Sequence, residues 1–129
     1  MKYKTENLTV LYIEDNTEVR KMVTSLLEKT FKQTIVASNG LDGLNLFVTY
    51  YAQIDVIITD LRMPKLNGIE MIGQIRKLNS SIPIFITTAF LDDTKYSYEL
   101  GQANIKKFYE KPINMIEILD DIGKYASVN

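Results

Sequence analysis

Three acidic side chains follow two apolar runs. Glu14 and Asp15 come after Leu8-Thr9-Val10-Leu11-Tyr12-Ile13, and Asp60 comes after the run from Ile54 to Thr59. If the two runs are neighbouring strands, three carboxylates crowd one small site, and their mutual repulsion calls for a counter-charge. A hard divalent cation is the natural one. Oxygen donors and octahedral geometry suit Mg²⁺, which keeps several waters and takes phosphate oxygens as further ligands. Thr87-Thr88-Ala89 ends the fourth expected strand and brings a hydroxyl beside the same pocket; Lys111-Pro112 ends the fifth, more polar one and brings an ammonium. Singly, these residues read as a helix cap, a packed threonine and a solvated lysine. Together they supply a carboxylate nucleophile, two further acidic metal ligands, a hydroxyl donor and a fixed cation. Phosphoryl transfer needs little else: an in-line nucleophile and compensation for charge on three equatorial oxygens.

Histidine is absent, which removes the commonest general base and the commonest zinc ligand, and cysteine is absent, which removes disulfides and thiolate metal sites. Any phosphohistidine must therefore belong to another chain. Fifteen basic against sixteen acidic residues give a net charge of −1, so nothing in the global balance recommends nucleic acid or an anionic membrane as a direct partner. No segment reaches the ~20 apolar residues of a membrane span, and Met1 to Val10 lacks the apolar core of a signal peptide. An untargeted, cytoplasmic chain is the expectation. At 129 residues, 46% of them hydrophobic, one domain with one core is expected.

The elements that must position these groups alternate. After the first strand, Val19, Met22, Val23, Leu26 and Leu27 recur at helical spacing. Thr34 to Ala37 reads as a strand; Leu44, Phe47, Val48 and Tyr51 share a helical face; Ile54 to Thr59 is the third strand. Ile69, Ile72, Ile75 and Leu78 mark another helix, Ile82 to Thr87 a strand, and Asp92 to Leu100 a more polar helix ending at Gly101. A strand near Lys106 to Glu110 and a helix from about Ile113 to Tyr125 close the chain. Near-continuously apolar strands alternating with helices indicate an α/β fold, a parallel sheet covered on both faces with functional groups at the carboxyl ends of its strands.

From about Leu8 to Tyr125 the chain resembles the receiver domains of two-component response regulators. The matching motifs are Ile13-Glu14-Asp15, Asp60-Leu61-Arg62-Met63-Pro64 with Asn67-Gly68, Thr88-Ala89, and Lys111-Pro112, all in order. The resemblance implies a doubly wound five-stranded parallel sheet, (βα)5 and flavodoxin-like, with strand order 2-1-3-4-5, and a single receiver domain over residues 1–129 with a core of about 8–125. It implies Asp60 as the phosphoacceptor, Asp15 as a direct Mg²⁺ ligand, Glu14 as an outer ligand acting through water, and Arg62 as a ligand through its backbone carbonyl. Thr88 and Lys111 would each meet a phosphoryl oxygen, with the Lys111-Pro112 peptide often cis. Phe108 matches the aromatic switch position, with Tyr109 the neighbouring candidate.

The donor implied is a histidine kinase or histidine phosphotransfer protein. The chain would be a signalling domain rather than an enzyme, catalysing only its own phosphorylation and dephosphorylation. Its output surface would be the fourth helix (92–100), fifth strand and fifth helix, with Tyr96, Tyr98 and Tyr109 offered to a downstream protein target, an effector domain or a second copy in a homodimer formed on activation. Whether the receiver stands alone or belongs to a longer regulator stays open.

Three features depart from the common pattern. Gly101 to Lys111 is longer than the usual GAxxYxxKP spacing, Glu14 replaces the more frequent aspartate, and Arg62 and Phe90 are bulky at positions flanking the path of the hydrolytic water, which predicts slow autodephosphorylation. A pseudo-receiver serving only as a binding module would ordinarily have lost one of Asp15, Asp60, Thr88 or Lys111. An aspartyl-phosphate phosphatase of the haloacid dehalogenase type needs Asp-x-Asp-x-Thr/Val after its first strand, which Glu14-Asp15-Asn16-Thr17 does not supply. An FMN carrier needs a hydroxyl- and glycine-rich phosphate loop where Glu14 and Asp15 stand.

Overall fold

The structure, a computed structural model, describes residues 4–61, 63, 65–89 and 101–128. Strands β1 (Thr9–Ile13), β2 (Gln33–Ala37), β3 (Val56–Asp60), β4 (Ile84–Thr88) and β5 (Lys107–Glu110) form one sheet in the order β2-β1-β3-β4-β5. All four pairings are parallel. Among the described residues the helices are α1 (Thr17–Thr30), α2 (Gly40–Thr49), α3 (Gly68–Leu78) and the closing helix α4 (Met115–Val128). The expected helix at Asp92 to Leu100 lies outside the described residues. No helix among them is long and apolar enough to cross a membrane.

Strand alternation builds two cores. Leu11, Ile13, Ile57, Ile84 and Ile86 face Phe47, Met71, Ile72 and Ile75 of α2 and α3. Val10, Tyr12, Val56, Ile58, Phe85 and Tyr109 face Val23 and Leu27 of α1 and Ile118, Leu119 and Ile122 of α4. Because β1, β3 and β4 are buried at every position, their sequences show no polar alternation. Each fully buried Ile or Leu contributes ~1.5–3 kcal/mol against exposure to water.

Three helices start on asparagine caps. Asn16, Asn39 and Asn67 accept from the backbone N–H of Val19, Asp42 and Glu70 at 2.9, 2.9 and 3.0 Å. Each cap satisfies an otherwise orphaned donor, worth ~1 kcal/mol, and fixes where the chain turns out of the strand end.

The face of α2 differs from the one hydrophobic spacing predicts. Val48 and Tyr51 are exposed, and Tyr51 lies beyond the helix, its ring edge-on to Phe47 and its hydroxyl donating to the Leu78 carbonyl. The buried side is Gly40, Gly43 and Phe47. A Cβ on Gly43 would stand 2.9 Å from both Ile13 Cγ1 and Met71 Sδ, so glycine allows this helix to lie close on the sheet. Met22 of α1 and Leu78 of α3, also expected inward, are exposed as well.

Candidate functional site

The strand order puts β1 and β3 side by side, and their carboxyl ends deliver the acids. Carboxylate oxygens of Glu14, Asp15 and Asp60 all lie within 4.8 Å of one another. Glu14 is fully buried, Asp60 is buried at the last position of β3, and Asp15 is exposed, so the cluster opens to solvent on the Asp15 side. Three oxygen donors with one open side fit a hard divalent cation that keeps part of its water shell.

Lys111 enters from the far side of the sheet. Its backbone N–H donates to the Thr88 carbonyl at 2.8 Å, which fixes it beyond the end of β5, next to the end of β4. Its ammonium then spans two acids, 3.0 Å from Glu14 Oε1 and 2.9 Å from Asp60 Oδ2. The Lys111-Pro112 peptide is cis. Asp60 Oδ1 accepts from the Leu61 N–H at 2.6 Å, so both carboxylate oxygens of Asp60 are oriented. The other Glu14 oxygen, Oε2, accepts from the Asn16 N–H at 3.1 Å.

The electrostatics follow from burial and proximity. Burial pushes the Glu14 carboxyl above its ordinary value; the hydrogen bonds from Lys111 and the Asn16 amide pull it back without cancelling that, and the nearby Asp60 charge adds to the rise. Burial alone would lower the Lys111 ammonium, but its hydrogen bonds to Asp60 and Glu14 outweigh that, and it is held above the ordinary lysine value.

Thr88 ends β4, buried, one residue past the partner of Asp60, which is Thr87. Register separates the two aromatic switch candidates. Phe108 pairs with Ile86 and Glu110 with Thr88, so Phe108 lies on the sheet face of Thr88, half-buried against the α2–α3 core. Tyr109 pairs with Thr87 on the opposite face. There it is buried, its ring 6.4 Å from Phe85 and its hydroxyl donating to Asp121 Oδ2 at 2.7 Å. Asp121 also receives Lys107 Nζ at 2.8 Å, which ties α4 to β5. Arg62, Phe90, Tyr96 and Tyr98 lie outside the described residues.

Two further residues shape this end of the sheet: Gly68, which the Asn67-Gly68 motif already marks, and Arg76, which escapes a reading of the sequence. Gly68 opens α3 directly against the phosphoacceptor candidate, its N–H donating to the Leu61 carbonyl at 2.8 Å. Arg76 of α3 donates to the carbonyls of Ala103 (2.6 Å) and Asn104 (3.1 Å), anchoring the turn that leads into β5; Asn104 there has φ 55°. An asparagine in a left-handed turn was the available signal for the second.

Comparison with known proteins agrees with this geometry. Residues 10–123 match the response regulator receiver domain family. The chain is 29% identical over 121 residues to sporulation initiation phosphotransferase F of Bacillus subtilis, covering 92% of this chain and 94% of that protein. It is 31% identical over 108 residues to a cyclic di-GMP phosphodiesterase of Thermotoga maritima, covering 84% of this chain but only 28% of that longer protein. The solved N-terminal domain of a Wolinella succinogenes protein superposes with a TM-score of 0.86 at 29% identity, covering 94% of this chain and 95% of that one. With the family matched across nearly the whole sheet, and its acids, threonine and lysine gathered at one end, the chain belongs to the response regulator receiver domains of two-component systems.

Proposed function

We propose that this receiver accepts a phosphoryl group from the phosphohistidine of a histidine kinase or histidine phosphotransfer protein onto Asp60, and that the reaction depends on Mg²⁺. The observation that carries the reading is the ammonium of Lys111 bridging Glu14 and Asp60 within a three-carboxylate cluster. An Asp60 carboxylate oxygen attacks phosphorus, the phosphorus–nitrogen bond of the donor breaks, and its electron pair returns to the imidazole. Lys111 follows the charge from the carboxylate to a phosphoryl oxygen, and the Thr88 hydroxyl donates to another. Asp15 and Asp60, with Glu14 through water and the Arg62 carbonyl, would hold the cation, which neutralises phosphoryl charge when bound. The Bacillus relative is itself a phosphotransferase, which supports the assignment of class.

The donor's docking face adjoins the site. A cavity of about 510 Å³ runs between α1 and the start of α4, lined by Val23, Leu26, Met22, Ile113 and Ile116, with Lys111 at its edge. Met22 and Ile116 are 68% and 72% exposed on its rim. Apolar surface beside a buried nucleophile suits a partner that must exclude water while presenting its imidazole.

Phe108 shares the sheet face of Thr88, which supports it as the switch: a hydroxyl drawn toward phosphate vacates space on that face, and phenylalanine fills it without burying a donor. Output then passes through β5 and the helices beside it to a downstream protein, an effector domain or a second copy. Arg62 and Phe90 slow hydrolysis, and the single receiver domain acts in the cytoplasm. Intact mass after incubation with a small phosphodonor, with and without Mg²⁺, tests the reading. A Mg²⁺-dependent, acid- and base-labile gain of one phosphoryl group that disappears in Asp60→Asn is expected; no gain despite Mg²⁺ binding indicates a pseudo-receiver that only binds protein.

A further inference from the structure

The acidic turn Glu14-Asp15-Asn16 is held by a cation that none of the proposed chemistry uses. Arg20, in the first turns of α1, donates through one guanidinium nitrogen, Nη1, to the Glu14 carbonyl at 2.9 Å and to the Asp15 carbonyl at 3.2 Å. Its own backbone N–H donates to the Asn16 carbonyl at 2.8 Å, so three consecutive carbonyls of the turn converge on this one residue. Glu14 is fixed in other ways besides, through its N–H to the Ala37 carbonyl and through both carboxylate oxygens. Asp15 is different: its side chain is exposed, and the Arg20 bond to its carbonyl is what ties its backbone to α1.

We infer that Arg20 is a positioning residue for the metal site, clamping the Glu14 and Asp15 carbonyls so that the Asp15 carboxylate is aimed at Asp60 before any cation arrives. This rests on the receiver reading above and assigns Arg20 no contact with phosphate or metal. Two effects of the guanidinium oppose each other. As a charge near three carboxylates it repels a divalent cation; as a clamp it removes the need to order an exposed ligand on binding. Supporting groups that orient metal ligands typically matter tenfold or more in metal affinity, whereas the repulsion from a half-exposed guanidinium is weakened by the high dielectric of the water around it. The clamp should therefore win, and the sign of the effect separates the two.

Calorimetric Mg²⁺ titration of the full chain and of Arg20→Ala, Arg20→Gln and Arg20→Lys reads the balance. Amide hydrogen exchange of Asp15 and Asn16, measured without metal, is the second readout. Arg20→Ala should bind Mg²⁺ about tenfold more weakly and exchange faster at these amides, with Arg20→Lys, which keeps the charge and part of the donor set, in between. Affinity that is unchanged or tighter in both uncharged variants, with exchange unaltered, overturns the clamp. If the wild-type chain binds no Mg²⁺, the receiver reading is what fails, and the exchange rates decide the clamp by themselves. Should Arg20→Ala not fold, Arg20→Gln and Arg20→Lys carry the comparison.

Discussion

Gly68 packs so tightly on the backbone of Asp60 and Leu61 that a Cβ there would stand 2.6 Å from the Asp60 carbonyl oxygen and 2.7 Å from the Leu61 Cα. The obstacle is backbone on both sides, so no rotamer change relieves it. Gly68→Ala should shift Asp60 and cost ~1–3 kcal/mol, as overpacking does. Urea melts measure the cost, and phosphoryl incorporation should fall by more than the melts alone explain.

Lys111 answers the charge of a carboxylate that has no access to solvent. Removing one partner of a buried pair costs ~3–5 kcal/mol, and with 23% of the Lys111 side chain still exposed the expected cost of Lys111→Ala at pH 7 is nearer ~2–3 kcal/mol. The sign with pH follows from Glu14. Its folded value is already raised and rises further without the ammonium, so stability of the variant is greatest below the ordinary glutamate range and is lost as pH rises through the folded value. Adding Glu14→Gln to Lys111→Ala should recover part of the loss at pH 7 in a denaturant series.

Tyr12 is fully buried in β1, and its hydroxyl finds no hydrogen-bond partner among the described residues. Burial, with Glu14 and Asp60 nearby, pushes its ionisation well above the ordinary tyrosine value, so the group stays neutral and simply lacks an acceptor. Tyr12→Phe should stabilise the fold by ~1 kcal/mol. A melting temperature that falls would mean the hydroxyl is satisfied in solution.

Asp121 binds both Tyr109 Oη and Lys107 Nζ. Burial alone would raise its carboxyl, but these two hydrogen bonds prevail and hold it below the ordinary aspartate value. A lowered folded value means stability that is present above the unfolded aspartate range and is lost as pH falls through the folded value. Asp121→Asn should cost ~1–2 kcal/mol at pH 7, and the gap from wild type should narrow below about pH 4. Parallel denaturant curves at the two pH values check it.

The sequence by itself determined the element types of the described strands and helices and which polar residues follow the strands. Glu14, Asp15, Asp60 and Thr88 sit at strand ends because a run that is buried on both faces must stop where polar groups begin, and that boundary is written in residue type.

Tertiary structure decided what depends on distance between strands and on register. The order β2-β1-β3-β4-β5 came to the sequence reading only through family resemblance, since alternation of elements carries no information about which strands pair. That Phe108 shares a sheet face with Thr88 while Tyr109 points the other way follows from parallel pairing of β4 with β5, which no single segment encodes. The packed face of α2 was missed because glycine contributes closeness rather than hydrophobicity, and the clamp of Arg20 on the acidic turn because a hydrogen bond to a backbone carbonyl leaves no mark on the acceptor's residue type.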